Sequence, residues 1–273
     1  MPVTDGIKSV DEFVRWVFET PPTPGEAAFF RGHSNADKYK LQPFALRTDV
    51  ARVAEPRKFR DLMIASPHDF REDKSTFERL SRMQHYGLPT RMLDTSTNPL
   101  IALWFACRSG AEKVGEVIRL TIARDKVKYY DSDTVACLAN LALLDDEVRQ
   151  QINTGLDRDA FNKTIPVIKL LHFIKEDKPY FRDVIDPADI DRVLCVLGRH
   201  SHERVAAQSG AFLLFGRGAI LPENGDADIA IRRIKIADGH KDKIIKQLDT
   251  LAINEGTAFC DIDRRAKYIA DLN

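Results

Sequence analysis

The chain is short of the features that assign a protein quickly. Cysteine is scarce: Cys107, Cys137, Cys195 and Cys260 are the four in 273 residues, and no two have C-x-x-C spacing. Neither a thiolate zinc site nor a disulfide framework is expected, and each reads as a small apolar filler in a reducing compartment. Long apolar runs are absent too. None approaches the ~18–20 residues needed to span a bilayer, and no basic segment leads into an apolar one at the N-terminus. A soluble, cytoplasmic protein is expected. No charge of one sign dominates, since 41 Lys and Arg face 41 Asp and Glu. Bulk charge therefore pulls toward neither nucleic acid nor an acidic membrane.

Familiar motifs are missing as well. There is no G-x-x-x-x-G-K-S/T loop for nucleotide phosphates, no G-x-G-x-x-G after a strand, no G-x-S-x-G and no H-E-x-x-H. His200-Ser201-His202-Glu203 has two histidines at i, i+2, which share a face only in a strand. That stretch reads as the start of a helix, so no metal is expected there. These absences leave a site centred on arginine or on hydroxyl groups.

What is present is ample apolar material, 44% of residues beside 30% charged. This suits a single domain over 1–273, with an N-terminal helix in 1–20 and a C-terminal helical annex in 240–273. "SVDEFVRWVFET" has helical spacing with Ser9 or Asp11 as cap, and "AAFFRG" follows "PPTPGE" as a short strand. Two helices are expected in "RKFRDLMIAS" and "DKSTFERLSRMQHYG". "PTRMLDTST" is extended, "NPLIALWFACRSG" is a helix with Pro99 early and Gly110 as its stop, and "GEVIRLTIA" alternates as a strand. Further strands are expected in "DRVLCVLG", "AFLLF" and "DIAIRRIKI", and helices in "HKDKIIKQLDTLAI" and "DIDRRAKYIADLN". The middle is mixed, with a strand-like "KVKYYD" and a helical "VACLANLALLDDEVRQQI". Without a strict β-α-β rhythm, the pattern predicts an α+β fold: a mixed, mainly antiparallel sheet surrounded by helices.

Two stretches carry chemistry. In "AAFFRGHSNADKYKLQPFALR", four apolar residues run straight into Arg31 and Gly32. An arginine at the inner end of a buried strand is costly unless paired, so it either anchors the fold or awaits an anionic ligand. In "QHYGLPTRMLDTSTNPLIALWFA", His85, Tyr86, Arg91 and Asp94 gather beside the hydroxyls of Thr95, Ser96 and Thr97, just ahead of an apolar helix. One of Ser96, Thr97 or Asn98 is expected to cap that helix. Capping leaves Asp94, Arg91, His85 and Tyr86 unexplained. An ion pair between Arg31 and Asp94 would account for two of these residues structurally.

The two stretches together resemble the FRG domain, a family named for its Phe-Arg-Gly signature. "RVAAQSGAFLLF" is similar to that family's later arginine, glutamine-x-glycine and phenylalanine element, so the resemblance runs from Phe30 to Phe215. A more distant similarity is to mono-ADP-ribosyltransferases. There an aromatic-Arg-Gly strand is followed by a Ser-Thr-Ser strand feeding a helix, then by a glutamate on a later strand. Arg31 in Phe30-Arg31-Gly32 matches the first element. Asp94-Thr95-Ser96 stands where the second would be, with Asp94 a departure. Gln208 occupies the position of the third, where no Glu-x-Glu occurs; Glu203 lies nearby.

That similarity implies an ADP-ribosyltransferase-like fold and an NAD-using enzyme, a toxin or phage-defence effector acting on protein or nucleic acid. In it Arg31, Asp94 and Gln208 would be catalytic, Arg31 holding the pyrophosphate or ribose and Asp94 supplying the charge that stabilises an oxocarbenium-like state. Gly32, His85, Tyr86, Arg91, Thr95, Ser96 and Arg204 would bind substrate or cofactor, with Tyr86 stacked on nicotinamide and Gly32 admitting the ligand to the backbone. The alternative is a non-catalytic module binding a nucleotide, a nucleic acid or a protein. A nuclease is a third reading, weakened by the lack of a clustered acidic metal site. No metal and no membrane partner are expected, and the residues do not state an oligomeric form.

Overall fold

The computed structural model describes residues 6–199, 210–259 and 262–270. Helix α1 (Val10–Glu19) buries Val10, Phe13 and Trp16, and β1 (Glu26–His33) follows. Helix α2 (Asp49–Ala65) starts at Thr48, whose side chain accepts the Ala51 N–H. It runs eight residues further toward the N-terminus than the sequence pattern predicts, because it continues through Pro56. A proline inside a helix removes one hydrogen bond. Burial of Glu55, Pro56 and Phe59 holds the turn helical regardless.

Helix α3 (Thr76–His85) is capped by Ser75 and stops before Gly87, whose φ of 87° belongs to the left-handed region. Strand β2 (Met92–Ser96) leads into α4 (Pro99–Cys107), with Asn98 as the cap accepting the Leu100 N–H. Strands β3 (Glu116–Ala123) and β4 (Lys128–Tyr129) come next. The predicted central helix divides into α5 (Asp133–Asn140) and α6 (Asp146–Gln150), and α7 (Arg158–Asn162) and α8 (Ile165–Asp177) follow. Strands β5 (Val193–Leu197), β6 (Gly210–Phe215) and β7 (Ile229–Lys235) complete the sheet. Helices α9 (Lys241–Thr250), α10 (Glu255–Ala258) and α11 (Ile262–Ala270) close the described chain. The architecture is α+β.

The seven strands form one sheet in the order β4-β5-β6-β2-β1-β3-β7, antiparallel except for the β4–β5 pair. Helices α2, α3, α5 and α8 pack through Phe77, Leu80, Leu138 and Leu170 on Met92, Leu194, Phe212 and Leu214. Helices α1, α4 and α9 pack around Phe30 and Val117. The other sheet face carries Phe29, Leu93, Ile118, Leu120, Leu213 and Phe215, joined by Leu41 and Leu221. Side chains alternate between faces along each strand. Cys107, Cys137 and Cys195 are buried, and burial pushes the Cys107 and Cys137 thiols up to about 12. Cys260 lies outside the described residues. Among the described residues, no helix is long and apolar enough to cross a membrane.

One feature of the pairing sets up the site. β1 matches β3 from Glu26 to His33, and β2 matches β6 from Met92 to Ser96. β1 and β2 meet in register at a single pair, Phe30 opposite Ser96. The sheet is thus two well-zipped halves with a loosely joined seam near its middle.

Candidate functional site: an arginine cleft at the sheet seam

A cavity of about 180 Å³ lies at that seam. β1 contributes Phe30, Arg31 and Gly32, β2 contributes Asp94, Thr95 and Ser96, and α4 adds Ile101, Ala102 and Phe105. Two stretches sixty residues apart in sequence therefore build one site, as the resemblance implies. Its volume is below the several hundred Å³ of pockets that enclose a whole drug-sized ligand, so it suits one end of a larger molecule.

Arg31 is part-buried, and among the described residues its partners are not carboxylates. Nη1 donates to the Asp94 carbonyl at 2.5 Å, and Nε donates to His33 Nε2 at 3.1 Å. Burial pushes its pKa below the ordinary value, with the charge of Asp94 opposing that shift. An Arg31–Asp94 ion pair is not formed, and strand alternation explains why. Ser96 opposes Phe30, so Asp94 and Ser96 share the face of Phe30, while Arg31 and Thr95 share the opposite face. The Asp94 carboxylate instead accepts from Gln84 Nε2 of α3 at 2.9 Å. The Gln84 carbonyl oxygen in turn accepts from the Thr90 hydroxyl, which fixes the orientation of that amide.

His33 extends the Arg31 contact into a row on one sheet face. Its Nδ1 lies 3.0 Å from Glu116 Oε1, and the same oxygen accepts from Arg233 Nη1 at 2.8 Å. Burial pushes the His33 pKa down; the hydrogen bond to Glu116 opposes this and the charge of Arg31 adds to it. For Glu116, burial acts upward, but His33 and Arg233 hold the carboxyl below its usual range.

The remaining expected residues divide clearly. Thr95 is 5% exposed, and its hydroxyl is enclosed without a partner among the described residues. The Ser96 hydroxyl accepts the Asn98 N–H at 2.9 Å, and so belongs also to the turn into α4. Gly32 answers a packing demand. A Cβ there would stand 1.9 Å from the Ala102 carbonyl oxygen and 2.6 Å from the Ala106 nitrogen, so the missing side chain admits the backbone of α4.

Arg91 is not in the cleft. It is fully buried and clamps Glu55, which also takes Arg149 Nη1 at 2.5 Å. Two buried guanidiniums on one carboxylate tie β2 and α6 to α2. Tyr86 stands 59% exposed on the turn after α3, and His85 meets it edge-on with ring centroids 4.9 Å apart. Neither lines the cavity. Arg204 and Gln208 lie outside the described residues, as do Glu203 and the His200 cluster.

Sequence reasoning missed His33, Glu116 and Gln84. His33 carried a usable signal, since the second residue after Arg31 shares its face in a strand. Glu116 carried none, because the β1–β3 register alone brings it to His33. A second cavity, of about 300 Å³, lies at the start of α3 and α5 between Phe77, Glu78, Tyr130 and Asp177. There Asp177 already accepts from Thr76 N–H, Asn140 and Arg79, and Glu78 accepts from Lys74 N–H. Among the described residues, no group of three His, Cys, Asp or Glu is placed to hold a metal ion.

Residues 26–114 match the model of the FRG domain. That span contains every residue lining the seam cavity, so the cleft is a feature of the FRG domain that this chain carries. The later "RVAAQSGAFLLF" element falls beyond the matched span. No curated protein and no solved structure matches the chain.

Proposed function

We propose that the FRG domain of this chain binds an anionic ligand of the nucleotide class, with Arg31 as its anchor and NAD the first candidate. One observation carries the reading: a part-buried arginine lines a cavity while bonded to a carbonyl and an imidazole, with no carboxylate in an ion pair with it among the described residues. A part-buried cation that is in contact with no carboxylate gains from an anion that enters. The cavity's size suits one end of a dinucleotide, the rest lying outside.

A second reading adds chemistry to binding. Asp94 is the described carboxylate in the cavity lining, and in a transferase it would stabilise the oxocarbenium-like state as the nicotinamide bond breaks. The Gln84 amide that holds it would set its direction. In that reading a protein or nucleic acid would accept the ADP-ribose.

Calorimetric titration with NAD, run beside an assay for nicotinamide release, tests both. Arg31→Lys keeps a charge but loses the fork that spans His33 and Asp94. It is expected to weaken NAD binding about tenfold or more, the worth of ~1.5–3 kcal/mol for a hydrogen bond to a charged group. Asp94→Asn is expected to abolish release while leaving binding within about threefold, a small fraction of what a lost charged hydrogen bond would cost. Binding without release would select the non-catalytic module. NAD binding untouched by Arg31→Lys would overturn Arg31 as the anchor.

A further inference from the structure

We propose that His33 and Glu116 are positioning residues for Arg31: Glu116 fixes the tautomer of His33, and His33 fixes the guanidinium of this cavity-lining residue through Nε. This deepens the reading of Arg31 as ligand anchor and rests on it.

Proton placement makes the argument. The Nε–H of Arg31 points at His33 Nε2 over 3.1 Å. An imidazole nitrogen accepts a hydrogen bond only where it carries no proton, so His33 is neutral with its hydrogen on Nδ1. Nδ1 lies 3.0 Å from Glu116 Oε1, a carboxylate that can only accept. Each proton in the chain Arg31–His33–Glu116 thus has one place to sit. Arg233 Nη1 on the same Glu116 oxygen, at 2.8 Å, keeps that carboxylate ionised and oriented. All four side chains belong to one face of β1, β3 and β7, with His33 opposite Glu116 and Ile118 opposite Arg233 in register.

The arrangement is suited to positioning rather than neutralising. A carboxylate set directly on Arg31 would hold it equally well and would cancel its charge. Interposing a neutral imidazole fixes the guanidinium through Nε without setting a carboxylate in contact with it. Arg91 shows the other solution within the same chain: its Nε and Nη2 both go directly to Glu55, and it is wholly enclosed.

The test is heteronuclear NMR on nitrogen-labelled protein without ligand, followed by titration with NAD. In the wild type, His33 is expected as the neutral Nδ1–H tautomer, and the Arg31 Nε–H as a slowly exchanging resonance close to the His33 ring. Glu116→Gln is expected to mix the two tautomers, speed exchange of that Nε–H and weaken NAD binding about tenfold. Glu116→Asp is expected to restore the tautomer in part. Should Glu116→Gln fail to fold, His33→Phe removes the acceptor at similar volume and is read by the Arg31 Nε–H exchange and the NAD affinity. A proton found on His33 Nε2 in the wild type would overturn the proposal. So would a folded Glu116→Gln that leaves both the Arg31 Nε–H exchange and the NAD affinity unchanged. If the wild type has the expected tautomer and coupling but no affinity for NAD, the positioning pair stands and the choice of ligand fails separately.

Discussion

Two residues of the Phe-Arg-Gly string do unlike work about 3.8 Å of chain apart. Arg31 borders the cavity, whereas Gly32 exists for the close approach of α4. With the Ala102 carbonyl 1.9 Å from where a Cβ would stand, Gly32→Ala must push α4 off β1 or bend the strand. Both obstacles are backbone, so little can yield. The substitution is expected to cost ~1–3 kcal/mol or more, as overpacking of a filled interior does. Chemical denaturation measures it, and a loss below about 0.5 kcal/mol, the scatter of ordinary surface changes, would contradict the packing role. The distinction matters for reading the signature: the glycine beside Arg31 records a close helix–strand approach.

Among the elements, the short ladder between β1 and β2 is what makes a cleft of an otherwise continuous sheet. Neither strand shows this in its sequence. "AAFFRG" and "MLDTS" read as ordinary strands, and the seam arises from how far each zips to its other neighbour. The strands themselves were legible from period-two apolar runs, and α4 from Pro99 and its capping asparagine. The start of α2 was not, because Pro56 breaks the local pattern and tertiary burial overrides it. Likewise Asp94 could be placed near Arg31 from the motifs, but not its face, which depends on the Phe30–Ser96 register.

Arg91 was misplaced for a similar reason: its partner Glu55 lies inside the part of α2 that the pattern does not reveal. That triad carries its own expectation. Removing the shared carboxylate by Glu55→Gln leaves Arg91 buried without its counter-ion and Arg149 with Asp146 alone, which costs ~3–5 kcal/mol in comparable pairs. Denaturation should report that loss, while folded protein should titrate NAD as the wild type does. A change in affinity without a loss of stability would place the triad in the site after all.

For the whole molecule, the buried row on β1, β3 and β7 makes stability depend on pH in two windows. His33 has a folded pKa below its ordinary 6.5, so the unfolded chain takes up that proton first. Stability therefore falls as pH drops below about 6.5 and goes on falling until the folded value is reached. Glu116 has a folded pKa below its ordinary 4.5, and the stability it adds is present above that value and lost as pH falls through the folded one. Thermal unfolding across acid pH is expected to show both stages. His33→Phe should lose the upper stage and keep the lower, and an unchanged upper stage would assign it to another histidine.

The central claim is that Arg31 stands in the FRG-domain cleft as an anion anchor, and the most direct test is calorimetric titration of NAD into wild-type and Arg31→Lys protein side by side. Saturable binding by the wild type, weakened about tenfold or more by the substitution in a folded protein, is the expected result. Equal affinity in the two proteins would contradict it, and would return Arg31 to the scaffold that joins the halves of the sheet.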